Sequence, residues 1–555
     1  MTDAADGGQP DSAAVGTASP PARVPATVLA EHQAAVAAIS EAYAALPPGS
    51  PVRLAKRTSN LFRFRDPPPG GRAGAGTTPG DGTTPGDGTT PASGTTPGSG
   101  TTAGGGAVPG NGSASGDGTA AGNGMAAMAR GLRAAGSRGR APSSGTGGLD
   151  VSAFSRVLHV DPRARLAVVG GMTTYEDLAD ATLRHGLMPL VVPQLKTITL
   201  GGAVTGLGIE STSLRNGLPH ESVTEMEILT GDGRVVTATP GGEHAGLYHG
   251  FPNSYGTLGY ALSLTIELEP VQPYVHLRHY RFASPEECME AVGQIAAERS
   301  LHGHRADFVD GTAFGLDEIY LTVGAYSDAA PWVSDYTGQR IYYRSLRGPR
   351  EDFLTIRDYL WRWDTDWFWC SRPFGVQHPA IRRAWPRRYR RSDVYRALVA
   401  FDRRYRLWET LNASRGRPPR EAVIQDVEIP LERAAAFTRF FAAEVGMSPV
   451  WLCPLRLRGD QSWPLYPLQA GQVYVNFGFW GTVPLPPGCS DGHHNRRVEA
   501  EVAALGGRKS LYSTSFYSPE QFWEHYNGPA YAALKREYDG AGRLAGLYEK
   551  CVRGQ

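Results

Sequence analysis

Apolar and polar positions alternate with clear periods over most of the chain after residue 149. "RVLHVD" (156–161) and "RLAVVGG" (165–171) predict two strands with a Pro-Arg turn between them. Thr173 and Thr174, followed by Glu176 and Asp177, form a capping-box start for a helix over "YEDLADATLRHG" that ends at Gly186. "MPLVVP" predicts a short strand, and "VTEMEILTGDGRVVTATP" a hairpin turning at Gly231–Gly233. A short helix, a glycine turn and a long alternating strand follow in "HAGLYHGFPNSYGTLGYALSLTIELEP", which closes a first α+β domain near Pro270.

Beyond 271 the pattern changes. "SPEECMEAVGQIAAER" (284–299) predicts an amphipathic helix and "EIYLTVGAYS" a strand. "IQDVEIP", the helix "LERAAAFTRFFAAEVG" and "SPVWLCPLRLR" form a strand-helix-strand unit, with "GQVYVNFGFWG" as a further strand. This predicts a second α+β domain on an antiparallel sheet. The tail from "SPEQFWEHYN" to "LYEKCV" predicts helix, with aromatics at helical spacing.

Residues 66–148 break the pattern. "GTTPGDGTTPGDGTTPASGTTPGSGTTAGGG" has almost no bulky apolar side chains to offset its ordering entropy, which predicts disorder. Both flanks look folded, so the stretch reads as an insertion within a domain rather than a linker between domains. Extending a loop eightfold costs about 2 kcal/mol, which a large domain tolerates. Residues 1–25 are also expected to be disordered. The predicted order is therefore a first domain from 26–65 and 149–275, the insertion at 66–148, and a substrate or cap domain over 276–555.

Composition narrows the function. With 555 residues, 41% hydrophobic, and a formal net charge of +1, the chain can bury more than one core and is not a dedicated nucleic-acid binder. Cys288, Cys370, Cys453, Cys489 and Cys551 show no paired spacing, which points to a reducing compartment and no metal site. No basic-then-apolar leader opens the sequence and no run reaches about 18 apolar residues. The expected location is cytoplasmic, with peripheral attachment to the inner membrane face as an option.

"TITLGGAVTGLGIESTS" (197–213) places Gly201, Gly202, Gly206 and Gly208 directly after a strand. It is neither a Walker A loop nor a dinucleotide fingerprint, since no Gly-Lys-Ser/Thr follows and no helix clearly starts there. A strand followed by Gly-Gly and small residues can turn backbone N–H groups toward an anion. A second glycine turn, "YGTLG" (255–259), lies about fifty residues on. Two such turns suit a pyrophosphate with a flat ring system beside it; either alone is more often an ordinary tight turn between strands.

From "LDVSAFSRVLHVD" through "TITLGGAVTGLGIESTSLRNGL" to "SYGTLGYALSLTIELEP" the chain resembles the FAD-binding domain of the vanillyl-alcohol oxidase or PCMH-type flavoproteins. Within that group it is most similar to the 24-dehydrocholesterol reductase (diminuto) branch, on the wording of "GIESTSLRNGL" and "YGTLGY". The match covers roughly 53–65 and 149–275. The remainder, with "WRWDTDWFWCSRPFG", "RRAWPRRYRRSDVY" and "QDVEIP", is similar to actinobacterial members, a group that includes reductases of 10-methylene fatty acyl chains. The resemblance implies that the pyrophosphate of FAD lies against Thr199, Leu200, Gly201, Gly202, Ala203, Thr205, Gly206 and Gly208, with Ser211 and Thr212 on the same path. It implies an earlier loop at "KRTSNLF", with Lys56, Thr58, Ser59 and Asn60. It places Gly256, Thr257 and Gly259 against the flavin or ribityl chain and Ile266 on the adenine side. Asn60 stands where many members carry a flavin-linked His, which implies noncovalent FAD. NADPH is the implied reductant, a phospholipid-linked acyl chain the implied substrate, and a lipid methyltransferase the implied supplier of the methylene lipid.

Reducing an isolated alkene needs a proton donor, apolar walls and aromatic faces near the developing cation. "WRWDTDWFWC" (361–370) offers Asp366 and Asp364 among Trp363, Trp367, Phe368 and Trp369; an aromatic core strand with surface aspartates is the competing reading. Glu428 in "QDVEIP", Tyr474 in "VYVNF" and Tyr512 in "KSLYSTSFY" are further acid candidates. The arginine-rich stretch 378–408, with Trp385, Tyr389 and Tyr395 interleaved, reads as a solvated helix face, a phosphate grip for a dinucleotide, or a contact with an anionic membrane surface.

Overall fold

A computed structural model describes residues 24–55, 148–405 and 414–554. Most of the low-complexity insertion, the loop "KRTSNLF" and residues 1–23 therefore lie outside the described residues. On either side of residues 56–147, strands β1 (Arg53–Ala55) and β2 (Gly148–Asp150) pair in parallel, with Leu54 opposite Leu149. Helix α1 (Ala26–Ala44) buries Ile39 and Tyr43 in one cluster with Val52, Leu149 and Phe154.

The first large sheet is antiparallel throughout. It takes β3 (Val157–Asp161), β4 (Leu166–Gly170), β5 (Leu187–Pro189), β6 (Val223–Thr230), β7 (Val235–Ala238) and β8 (Gly259–Pro270). The order is β3-β4-β8-β6-β7, with β5 paired to the end of β8. Helix α2 (Tyr175–Leu183) starts as its sequence predicts, the Thr174 hydroxyl accepting from the Asp177 amide at 3.2 Å.

The glycine-rich stretch differs from the sequence expectation. It is a short helix, α3 (Leu200–Gly206), despite three glycines that each cost about 1 kcal/mol against alanine in a helix. Its surroundings supply what propensity does not. Thr199 caps the Gly202 amide at 3.2 Å, and the Gly201 amide donates to the Gly171 carbonyl at 2.9 Å. A Cβ on Gly201 would lie 2.7 Å from that same oxygen, so only glycine allows the approach.

The second sheet has eight strands, all antiparallel: β9 (Tyr274–Phe282), β12 (Phe308–Gly315), β13 (Glu318–Ser327), β14 (Glu351–Thr355), β15 (Arg420–Pro430), β16 (Val450–Leu455), β17 (Tyr474–Pro484) and β18 (Arg508–Lys509). A two-residue hairpin, β10 (Ser300–Leu301) with β11 (His304–Arg305), precedes β12. The order is β14-β9-β13-β12-β16-β17-β15-β18. Helices α4 (Pro285–Glu298), α6 (Leu431–Glu444) and α7 (His493–Ala504) contribute to the cluster on one face. It contains Ile295, Phe437, Phe441 and Val498 packed with Val427, Leu452, Phe477 and Phe479. Between β14 and β15 runs helix α5 (Ser392–Tyr405). Because strand side chains alternate between faces, the neighbours Asp426, Glu428, Trp451, Asn476 and Trp480 project to the opposite face.

The tail is helical only in part. α8 (Pro519–His525) and α9 (Gly528–Tyr538) form as expected, but Gly540, Gly542 and Gly546 open an irregular segment before a π-helical turn at Glu549–Arg553. That segment is tied back by the Val52 amide donating to the Arg543 carbonyl at 2.8 Å. No described helix is long and apolar enough to cross a membrane.

Candidate active site

A single cavity of about 820 Å³ runs from α3 to the polar-aromatic face of the second sheet. Thr199, Gly201, Gly202, Ala203, Thr205, Gly206 and Gly208 line one wall, with Gly256 and Gly259 beside them. Trp367, Phe368, Trp451 and Trp480 line the other, with Asp426 and Tyr512.

The amide supply is not where the sequence suggests. The N–H groups of Leu200, Gly201, Gly202 and Ala203 all bond to protein oxygens, those of Thr173, Gly171 and Thr199. Amides without an acceptor among the described residues occur instead where the chain leaves the helix, at Leu207, Gly208 and Ile209, all on the cavity wall. Leu207 there has φ 59°, a left-handed backbone that turns the chain sharply. Tyr255 fixes this exit. Its hydroxyl donates to the Gly206 carbonyl at 2.7 Å and its amide to the Thr205 carbonyl at 3.0 Å.

Five expected cofactor residues are buried in the protein rather than on the wall. Leu200 packs inward and Ile266 lies within the first sheet. The Ser211 hydroxyl bonds Tyr359 at 2.8 Å, the Thr212 hydroxyl donates to the Leu190 carbonyl at 2.9 Å, and the Thr257 hydroxyl to the Ser254 carbonyl at 2.7 Å. Lys56, Thr58, Ser59 and Asn60 lie outside the described residues. The C-terminal segment supplies wall residues that the sequence did not single out: Arg543, Leu544, Ala545 and Lys550. The Arg543 guanidinium lies 4.3 Å from the Tyr43 ring centre, and its buried Nη2 has no partner among the described residues.

"WRWDTDWFWC" splits in two. It is a 3-10 turn at Asp364–Asp366 followed by two left-handed residues, Trp367 (φ 48°) and Phe368 (φ 58°). Bulky residues rarely adopt that backbone, which costs of order 1–3 kcal/mol each and tends to occur at functional sites. It sends the two rings to the cavity and the two carboxylates away from it. Asp366 is gripped by Arg382, which donates from Nη1 at 2.6 Å and from Nη2 at 3.0 Å. Burial pushes the Asp366 pKa up and Arg382 pulls it back; with both oxygens engaged, the group is half of an ion pair. Asp364 accepts from the Lys196 amide at 3.1 Å and the Ser392 hydroxyl at 2.5 Å, and burial raises its pKa. Neither lines the cavity. Tyr474 is also away from it, its buried oxygen accepting from the Gln469 amide at 3.2 Å.

Asp426, not Asp366, is the carboxylate on the cavity wall. It lies opposite Gly478, whose missing side chain leaves room: a Cβ there would come within 2.6 Å of Asp426 Oδ1. That oxygen is shut from solvent and unpartnered. Burial pushes the carboxyl up to about 7, against the opposing pull of Asn476 and Tyr512. Trp480 Nε1 donates to the Tyr512 hydroxyl at 2.8 Å. Glu428, two residues on and on the same face, is pushed up to about 8 by burial, with Tyr466 and the Ser510 hydroxyl as its partners. It stands behind Asp426 rather than on the wall. Phe368 packs at 4.4 Å from Trp480 and 5.6 Å from Trp451, centre to centre, closing an aromatic box around the carboxyl.

The basic stretch dissolves into separate roles. Arg382 and Arg390 are buried, Arg390 donating to the carbonyls of Thr337, Gly338, Arg382 and Trp385. Arg391 pairs with Glu176 and Tyr395 is buried, leaving Arg383, Arg387, Arg388 and Tyr389 exposed.

Comparison with known proteins bears on the cofactor. The FAD binding domain family matches residues 119–239. The Delta(24)-sterol reductase of Arabidopsis thaliana is 25% identical over 451 residues, 73% of this chain and 77% of that one. Its counterpart in Homo sapiens is 25% identical over 415 residues, 72% of this chain and 76% of the other. Decaprenylphosphoryl-beta-D-ribose oxidase of Mycolicibacterium smegmatis is 32% identical over 148 residues, 26% of this chain and 31% of the oxidase. The chain thus carries an FAD-binding domain and is a distant relative of the Delta(24)-sterol reductases. The cavity suits that cofactor. Its volume falls in the range of about 300–1,000 Å³ usual for ligand sites. Three free amides and an orphaned guanidinium nitrogen match a pyrophosphate, and an aromatic wall stands across from them.

Proposed function

We propose that this protein is an FAD-dependent oxidoreductase that reduces an isolated carbon–carbon double bond in a lipid, with NADPH as electron donor. A 10-methylene fatty acyl chain on phospholipid is the substrate we favour. Relationship to the Delta(24)-sterol reductases supports the reaction class, and one observation carries the chemistry: a carboxyl with a pKa near 7, Asp426, faces an aromatic box at the far end of the FAD-type cavity.

A bound flavin supplies a hydride. The residues of the chain supply the rest. Asp426, its carboxyl raised by burial to about 7 and so protonated in about half of the molecules at neutral pH, delivers its proton to the terminal carbon of the methylene group, leaving a tertiary cation on the substrate. Trp451, Trp480 and Phe368 exclude water from that cation and face it with their π-systems. Adding one proton and one hydride turns the alkene into a methyl branch and balances the reaction. Exposed Arg383, Arg388 and Tyr389 are suited to an anionic headgroup layer, so we place the enzyme at the cytoplasmic membrane surface, with a lipid methyltransferase supplying its substrate.

Lipid analysis of cells with and without the gene tests this. Accumulation of a methylene lipid in its absence supports the proposal; an unchanged lipid profile defeats it. The 32% identity to a ribose oxidase favours a second reading, oxidation of an alcohol carbon on a lipid-linked sugar. Oxygen uptake with such an alcohol, and none of the alkene reduced, would select it.

A further inference from the structure

A second pocket, about 430 Å³, shares no lining residue with the cavity described above. Arg344 and Arg347, from one short segment, and Arg372, from the turn after Trp369, line it with exposed side chains over an apolar base of Phe314, Tyr343 and Pro449. Among the described residues, only one of the three charges has an ion-pair partner. Arg347 forms a two-pronged pair with Glu318, at 2.6 and 2.5 Å, and lies 4.0 Å from the centre of the Phe314 ring. Arg344 is held by neutral groups, donating to the Tyr343 hydroxyl at 3.2 Å and to Gln377 Oε1 at 2.8 Å. Arg372 has neither hydrogen bond nor ion pair from its side chain among the described residues. Two uncompensated guanidinium groups in one small aromatic-based pocket repel each other, and a bound anion relieves that repulsion.

We propose that this pocket binds the phosphate group of an organic phosphate. Planar guanidinium forks suit a terminal phosphate group, whose three oxygens each accept a charge-assisted bond. A charge of up to two negative units balances the two unpaired arginines, which a single carboxylate does not.

The pocket is also wired to the larger site. The Tyr343 ring lies 6.2 Å from Trp369, and Trp369 lies 5.5 Å from Trp480 on the cavity wall. Hydrogen bonds run in parallel. Gln377, which accepts from Arg344, donates to the Ser371 hydroxyl at 2.8 Å, and Ser371 bonds Asp366 at 3.2 Å. An anion that draws Arg344 away therefore acts on the segment that presents Trp367 and Phe368.

The test uses the full-length, flavin-loaded protein, whose larger cavity is filled. Binding of inorganic phosphate, 2′,5′-ADP and monomeric dihexanoylphosphatidic acid, each with a terminal phosphate group, is measured by titration calorimetry at low and high salt. At least one probe should bind, more weakly at high salt, and Arg372→Gln should weaken it about tenfold. Arg344→Gln/Arg372→Gln should weaken it further, and Arg372→Lys, which keeps charge without the fork, should fall between. Binding of all three probes means that phosphate alone suffices; binding of the nucleotide alone or the lipid alone names the source. No binding by any probe overturns the proposal, as does binding that both glutamine variants leave unchanged. Arg372 is exposed and single, so its variant folds even if the double variant does not. The readout is phosphate binding, measured without turnover, so this proposal and that of the flavin chemistry fail separately.

Discussion

Replacing Asp426 with asparagine should slow turnover and stabilise the protein at alkaline pH. The two effects share one cause. Burial lifts the carboxyl from 3.8 to about 7, so the native protein keeps a proton there that the unfolded chain releases near pH 4. Between those values the native state binds more protons than the unfolded state, and stability falls as pH rises through the window. Three units at 1.36 kcal/mol each amount to about 4 kcal/mol at most above pH 7, less where cavity water reaches the carboxyl. Asp426→Asn carries no such charge, so its melting temperature should match the wild type near pH 4 and exceed it at pH 8. Turnover should drop about 10²–10⁴-fold, the usual contribution of a general acid. Wild-type turnover should fall tenfold per pH unit above 7, as the protonated fraction does, while the residual rate of the variant stays flat. A melting-temperature difference that does not change with pH, or turnover equal to the wild type, would refute the reasoning.

Asp366→Asn should behave differently, because it leaves Arg382 as a buried unpaired charge. About 3–5 kcal/mol of stability should be lost, seen as a lower denaturation midpoint, with turnover per folded molecule retained. Gly201→Ala should lower flavin content in the purified protein, since its Cβ would press on the Gly171 carbonyl at 2.7 Å and shift α3. Arg543→Gln should release FAD about tenfold more readily on dilution, read by flavin fluorescence, because the orphaned Nη2 would no longer meet the cofactor.

The strands with clean alternation were legible in the sequence, and so was the α+β character of both sheets. β9, β12 and β14 escaped notice; β12, "FVDGTAFG", is buried on both faces over most of its length and shows no alternation. The glycine stretch lines the cavity, but not for the reason its sequence suggests. Its glycines admit backbone packing at Gly171 and Tyr255, and the free amides follow the helix instead of starting it. Of the aromatic residues in 361–370, Trp367 and Phe368 line the cavity, while their two consecutive left-handed backbones leave the aspartates off it. Such a backbone is set by tertiary packing and has no local sequence signal. Asp426 and Glu428 share a strand face, and only register against Gly478 and Ser510 decides which one reaches the cavity. The wall contributed by Arg543 and Lys550 comes from the far end of the chain, where glycines at 540, 542 and 546 were the one available hint.

The central claim is that one cavity brings a flavin, an aromatic box and the proton of Asp426 to the same double bond. An anaerobic single turnover in deuterium oxide tests it most directly, mixing photoreduced holoprotein with a 10-methylene acyl phospholipid. The account predicts that the oxidised flavin spectrum returns as one methyl branch forms per flavin, with solvent deuterium in that methyl group, and that Asp426→Asn slows both together. A flavin that stays reduced, or a product whose methyl group carries no solvent deuterium, would contradict it.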